Sequence, residues 1–153
     1  GAARLARQYL VDGPVEEDAI RPLRKQIRAD IARDAGRLLR TGAPDHASAT
    51  SKTMRSLARI CGAAPSAAGP MVPRPLPLDV LVEWIPKLAA MSHEEVAQLP
   101  GVSPSRAHQI LPGALVAEAV MDIFELPVLE VCPWALREGV ILERLDQISD
   151  LAF

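Results

Sequence analysis

A stripe of apolar residues, Ile20, Leu23, Ile27, Ile31, Ala35, Leu38 and Leu39, recurs at steps of three or four positions and constrains this chain more than any other feature. Such spacing places the set on one face of a long helix, predicted from Val15 to about Arg40, and that face needs other elements to bury it. The opposite side carries Arg21, Arg24, Lys25, Arg28, Arg33, Arg37 and Arg40, which reads as a solvated face where arginines pair locally with Asp30 and Asp34. The partners must be mostly helices. Hydrophobic residues make up 49% of the 153 residues but aromatics only 3%, so Leu, Ile, Val and Ala fill the interior rather than aromatic-rich strands. This length buries one core without metal or disulfide staples. Cys61 and Cys132 lack metal or CxxC spacing and are expected to be buried and reduced. No apolar run approaches the roughly 18 to 20 residues that span a bilayer, and no secretory stretch opens the chain. A cytoplasmic protein that avoids membranes is expected.

Local signals divide the rest. Leu5, Tyr9 and Leu10 predict a short helix ended by Asp12-Gly13-Pro14. A loop at Thr41 to Asp45 leads to a short strand at His46 to Ala49, and Met54, Leu57, Ala58 and Ile60 mark a helix. Residues 62–77 read as a Pro/Ala/Gly-rich loop, of the length that is commonly functional or mobile. Leu78 to Ala90 is helical, with a kink expected at Pro86. Ser92 with Glu95 gives a capping-box signature for a helix from Ser92 to Leu99. Ser103-Pro104 opens another helix, which must bend or restart at Pro112 before the inward face of Leu115, Val116, Ala119, Val120 and Ile123. Val128 to Cys132 is a strand bounded by prolines, and Leu136 to Ile148 a closing helix.

The net charge of −2 hides a strong asymmetry. Residues 1–74 hold 13 Lys/Arg against 7 Asp/Glu, and residues 75–153 hold 4 against 12, so the first half is the anion-facing one. Within it, Ala49-Thr50-Ser51-Lys52-Thr53-Met54-Arg55 runs from a strand end into a helix start. Free backbone donors, hydroxyls and a lysine at such a corner suit a phosphate. The plainer alternative is that Ser51 or Thr53 caps the helix while Lys52 lies in solvent. A Walker A loop is excluded because its glycines are absent. Leu99-Pro100-Gly101-Val102 suggests a helix-hairpin-helix grip on nucleic acid, but Ser103 replaces the second glycine. Arg106 is also the one basic residue between Lys87 and Arg137, so nucleic acid is disfavoured. His46, His93 and His108 lack ligand neighbours, so no metal site is expected from this chain. Glu118, Asp122, Glu125, Glu138, Glu143 and Asp146 read as exposed helix residues, none tuned for acid or base work.

Arg106-Ala107-His108-Gln109-Ile110-Leu111-Pro112-Gly113-Ala114-Leu115, followed by Leu136-Arg137-Glu138-Gly139, resembles the closing segments of the Ppx/GppA family of exopolyphosphatases and guanosine pentaphosphate phosphohydrolases. Gly1 to Leu5, Leu57-Ala58-Arg59-Ile60 and Leu99 to Val102 resemble further segments in the same order. Ala49-Thr50-Ser51-Lys52-Thr53 is similar to the family's Gly-Thr-Ser-Gly-Thr turn, with Ala49 and Lys52 where glycines are typical. The resemblance implies a helix-rich α/β fold, the partial second domain of the actin/Hsp70/sugar kinase-like (ribonuclease H-like) type. Residues 1–153 would then be part of the C-terminal domain of the short two-domain form, with 62–77 a loop inside it. The start at Gly-Ala-Ala without Met agrees with an upstream segment.

The resemblance further implies that the intact protein removes the terminal phosphate of inorganic polyphosphate, or the 5′ phosphate of guanosine pentaphosphate, using magnesium. The family's water-positioning carboxylate motif and its Asp-Gly-Gly-Gly-Ser type loop do not occur here, so no catalytic or magnesium-binding residue is assigned to this chain. Alone it should be inactive, with the N-terminal domain of the same protein as its partner and a homodimer compatible with the family. Ser51, Lys52, Thr53 and Arg106 are the candidate phosphate contacts. Arg137 is expected to tie its helix to the preceding strand through Glu138 or a carbonyl. The rival readings are a non-catalytic sensor of polyphosphate or guanosine phosphates, and the helix-hairpin-helix module.

Overall fold

The computed structural model of the chain describes residues 14–42, 44–134 and 136–150, and the short helix expected at Leu5 to Leu10 lies outside them. The long amphipathic segment forms α1 (Glu17–Leu39), 23 residues. Ile20, Leu23, Ile27 and Ala35 of its stripe are buried, and Ile31 is partly so. Leu38 and Leu39, 61% and 48% exposed, carry the last turn of the stripe beyond the core.

The partner of α1 is the most apolar segment of the chain, α5 (Ile110–Ile123). A helix that is apolar nearly all round belongs in the interior. Leu111, Pro112, Ala114, Leu115, Ala117, Ala119 and Met121 are all buried, with α2 (Lys52–Ile60), α3 (Leu78–Ala90) and α1 packed around them. The charged residues of α5, Glu118 and Asp122, turn to α1. Arg24 Nε donates to Glu118 Oε2 at 2.9 Å, and Arg28 pairs with Asp122 one turn further on. Both rungs advance by four residues in the same direction, so α1 and α5 run parallel.

Before α5 the chain makes a 3₁₀ turn at Pro104–Gln109. The restart at Ile110 puts Pro112 in the first helical turn, where a missing N–H breaks no bond. The short α4 (His93–Ala97) carries the expected capping box: Ser92 Oγ accepts from Glu95 N at 3.3 Å, and Ser92 N donates to Glu95 Oε2 at 2.8 Å.

The sheet is small, with strand order β1-β3-β2. β1 (Ser48–Ala49) runs parallel to β3 (Val128–Val131), and β2 (Pro75–Pro77) pairs with it antiparallel, Leu76 opposite Leu129. β2 corrects the reading of residues 62–77 as loop throughout. A strand with prolines at both ends survives because it lies at the edge of the sheet, where it need not donate on both sides. The same segment holds a 3₁₀ turn, Ser66–Ala68. α2 contacts both β2 and β3, and thereby joins the sheet to α5.

The closing helix α6 (Leu136–Asp150) has no extensive packing with any other described element. Ile141, Leu145 and Ile148, one side of it by spacing, are all about half exposed, at 54%, 53% and 51%. Among the described residues no helix is long and apolar enough to cross a membrane, and Cys61 and Cys132 are free and partly buried.

Candidate anion-binding site

The turn between β1 and α2 is built by its serine. Ser51 is extended, with φ −76° and ψ 151°, and its Oγ accepts from Met54 N at 3.1 Å. α2 therefore begins at Lys52. Neither Ala49 nor Lys52 has a positive φ, so both positions accept a side chain without strain. From Lys52, spacings of three and then four bring Arg55 and Arg59 to the same side of the helix. Leu57, Ala58 and Ile60 are buried in the core.

These three cations form one wall of a cavity of about 460 Å³. A second wall is the turn from Gly101 to Arg106, tied to α2 by a buried serine: Ser56 Oγ donates to Gly101 O at 2.7 Å, with Lys52 O at 3.2 Å as its other acceptor. That hydroxyl brings Arg106 and Lys52 to one space although they lie far apart in the chain. Ala63 to Ser66 and Arg74 complete the lining.

Arg74 is only 4% exposed. Its guanidinium donates to four carbonyls: Nε to Ala64 at 3.2 Å, Nη1 to Val72 at 2.9 Å, and Nη2 to Pro65 and Gly69 at 2.9 and 2.7 Å. The Pro/Ala/Gly-rich segment is thus wound around a buried cation. Arg59 is also braced, Nη1 donating to Ala63 O at 2.6 Å. Lys52, Arg55 and Arg106, in contrast, have no side-chain hydrogen bond or ion pair among the described residues.

Among the described residues no carboxylate lines the cavity and none of its five cations is ion-paired. A concave surface holding unbalanced positive charge concentrates anions, and guanidinium groups present paired donors to phosphate oxygens. Of the four residues expected at the site, Lys52 and Arg106 meet here, whereas Ser51 and Thr53 are not in the lining. Ser51 is engaged as the helix cap. Sequence reasoning misses Arg55, Arg59 and Arg74. The first two carry a legible signal, the helical spacing from Lys52, and Arg74 carries none. Arg137 is exposed and makes no ion pair or side-chain hydrogen bond to β3 among the described residues.

The donor set does not suit a divalent metal. Among the described residues no three of His, Cys, Asp and Glu are placed to hold one. The rings of His93 and His108 meet edge to face at 6.3 Å, and His108 Nε2 lies 3.2 Å from Gln109 Nε2. Magnesium favours carboxylate and water oxygens, which this cationic wall does not supply.

The sequence profile of the Ppx/GppA phosphatase family matches residues 1–148. The chain is 48% identical over 150 residues to exopolyphosphatase 1 of Mycobacterium tuberculosis and 45% identical over 150 residues to that of Mycobacterium leprae. In each case it covers 98% of itself and 44% of the relative, so it spans less than half the length of the curated relatives it matches. Its fold superposes on the Ppx/GppA family member of Aquifex aeolicus with a TM-score of 0.79 at 20% identity, over 96% of this chain and 47% of that one. An exopolyphosphatase from Cytophaga hutchinsonii gives 0.75 at 21% identity, over 96% and 48%. The helix-rich α/β architecture built around α5 and the small sheet is therefore that of one part of these larger molecules. With a profile match along nearly all of its length, the chain belongs to the Ppx/GppA phosphatase family.

Proposed function

We propose that this chain forms one wall of the interdomain cleft of a phosphohydrolase that releases the terminal phosphate of inorganic polyphosphate or the 5′ phosphate of guanosine pentaphosphate. The observation that carries this reading is the cavity in which Lys52, Arg55, Arg59, Arg74 and Arg106 converge with no carboxylate among its described lining residues. Phosphoryl transfer spreads negative charge over the transferred group and asks the protein chiefly for positioning and neutralisation. Lys52 and Arg106 supply cations without side-chain bonds of their own to the phosphate, Arg59 a braced one, and Arg74 acts chiefly through its field because carbonyls take four of its five N–H donors. The water-positioning carboxylate and the magnesium ligands belong to the facing N-terminal domain. The exposed Ile141, Leu145 and Ile148 of α6 support the presence of such a domain, since apolar faces of this kind are normally covered. Without it the chain alone is inactive.

Kinetics of the intact protein test the assignment. Charge-assisted hydrogen bonds contribute about 1.5–3 kcal/mol each, so K52A and R106A should each raise the KM for polyphosphate roughly tenfold or more. The thermal midpoint should stay near that of the parent, because both side chains bond nothing within the described part of the protein. Unchanged saturation kinetics in both variants would remove these residues from the substrate site.

A further inference from the structure

Among the described residues three serines line the cationic cavity, and their hydroxyls are not equivalent. Ser56 is buried and donates to Gly101 O. Ser103 Oγ lies 3.4 Å from Ser105 Oγ. Ser66 is exposed, and its hydroxyl has no hydrogen-bond partner among the described residues. It also lines a separate, smaller cavity of about 200 Å³ together with Arg55 and Arg74.

The position of Ser66 is fixed by the fold. It opens the 3₁₀ turn Ser66–Ala68, and Arg74 Nη2 holds both ends of that turn through Pro65 O and Gly69 O, at 2.9 and 2.7 Å. The side chain therefore stays at the wall of a space lined by Lys52, Arg55, Arg59 and Arg106 and, among the described residues, by no carboxylate. Arg55 borders both cavities with Ser66, and its guanidinium has no partner among the described residues. A neutral hydroxyl makes no use of this field. A phosphate ester on it would bring a charge of about −1.5 to −2 and three acceptor oxygens to cations that lack an anion.

Resting on the functional reading above, we infer that Ser66 is a phosphorylation site whose phosphate occupies the cavity and shuts out the anionic substrate. A protein kinase transfers the γ-phosphoryl group of a nucleoside triphosphate to Ser66 Oγ. The hydroxyl gives up its proton as the ester O–P bond forms, the bridging O–P bond to the γ-phosphorus breaks, and the nucleoside diphosphate leaves. The ester is then a tethered competitor, present at the site at an effective concentration of about millimolar or more. Hydrolysis of the ester reopens the cavity.

The 153-residue chain carrying phosphoserine at position 66 tests the seating of the ester. Phosphorus NMR follows its second ionisation, which lies near about pH 6 in water. Neighbouring cations favour the dianion, so the transition should fall about one pH unit below that of the same chain unfolded in urea, and R55A should recover most of the difference. R55Q keeps much of the apolar stem and should behave as R55A, which separates loss of charge from loss of packing. Calorimetry should show pyrophosphate bound at least about tenfold more weakly by the phosphorylated chain than by the unmodified one. Phosphopeptide mapping of the protein from its native cells should find the ester on Ser66. Identical ionisation in the folded and unfolded chains, undiminished pyrophosphate binding, or Ser66 unmodified at every stage of growth overturns the inference and leaves the functional reading standing. An unmodified chain that binds no pyrophosphate overturns both.

Discussion

A Cβ built on Gly101 would lie 2.8 Å from Cγ and 2.9 Å from Cβ of Arg59, so the turn before the 3₁₀ segment rests directly on the stem of a site arginine. Gly101 has φ +78° and its carbonyl accepts from Ser56 Oγ, so conformation, contact and hydrogen bond all fix this turn on α2. The Leu-Pro-Gly sequence that suggests a nucleic-acid hairpin is thereby accounted for by packing. It sets Arg106 across from Lys52.

Gly101→Ala should therefore cost more than the positive φ alone. Strained φ costs about 1–3 kcal/mol, and overpacking adds a similar amount, so a loss of about 2–4 kcal/mol is expected. Gly69 supplies the control, since it has φ +102° but nothing within 4 Å of an added Cβ. G69A should lose about 1 kcal/mol. Urea unfolding of the two variants measures the difference, and equal losses would show that the approach of Gly101 to Arg59 has no energetic weight.

Arg74 makes a separate prediction about the loop it organises. Lysine keeps the charge but cannot serve four carbonyls in a fixed fork, so R74K should free much of residues 64–72 while leaving the net charge of the cavity unaltered. Hydrogen bonds to charged groups are worth about 1.5–3 kcal/mol, and a loss of about 2–4 kcal/mol is expected for the set. Hydrogen exchange should rise at Ala68 and Gly69, whose amides donate to Pro65 O and Ser66 O. Protection there equal to that of the parent protein would mean that the loop holds itself without the guanidinium.

Arg74 and Arg106 also show what the sequence could and could not reveal. α1, the capping box at Ser92 and Glu95, and the restart near Pro112 are set by local chemistry, and spacing alone announces them. β2 is different, because its partner β3 is more than fifty residues away and its prolines speak against a strand unless the edge position is known. Lys52 stands out by sitting at a helix start, and Arg106 by its isolation among acidic residues. Arg74 cannot stand out, since its role is defined by carbonyls scattered over residues 64–72 that come together only in the folded chain. The family resemblance reaches the fold and two residues of the cavity lining, Lys52 and Arg106, and the cavity adds Arg55 and Arg59 to them.

The two rungs between α1 and α5 should differ in strength. Arg24 and Glu118 are 33% and 13% exposed, whereas Arg28 and Asp122 are 43% and 50% exposed. Solvent screening weakens the second pair, so double-mutant cycles to Ala should give a coupling of about 1 kcal/mol for Arg24 with Glu118 and about 0.3 kcal/mol for Arg28 with Asp122. Added salt should erode the outer coupling more than the inner one. Equal couplings with equal salt dependence would indicate that burial does not distinguish the rungs.

Cys61 closes α2, and burial raises its thiol from 9.0 to about 11. Desolvation disfavours the thiolate, which is the reactive form, so at pH 8 only about one thiol in a thousand is ionised. Alkylation by iodoacetamide, followed by mass spectrometry of the Cys61 peptide, should be slow in the folded protein and accelerate about tenfold per pH unit toward pH 11. Unfolding in urea should abolish the protection. The sign for stability comes from the same shift: below pH 9 both folded and unfolded thiols are protonated, and between pH 9 and about 11 the unfolded chain ionises first. Stability should therefore fall as pH rises through that window, and C61A should lose less over it than the parent. Native alkylation at pH 8 as fast as in urea would show that the Cys61 thiol is not shielded by the core.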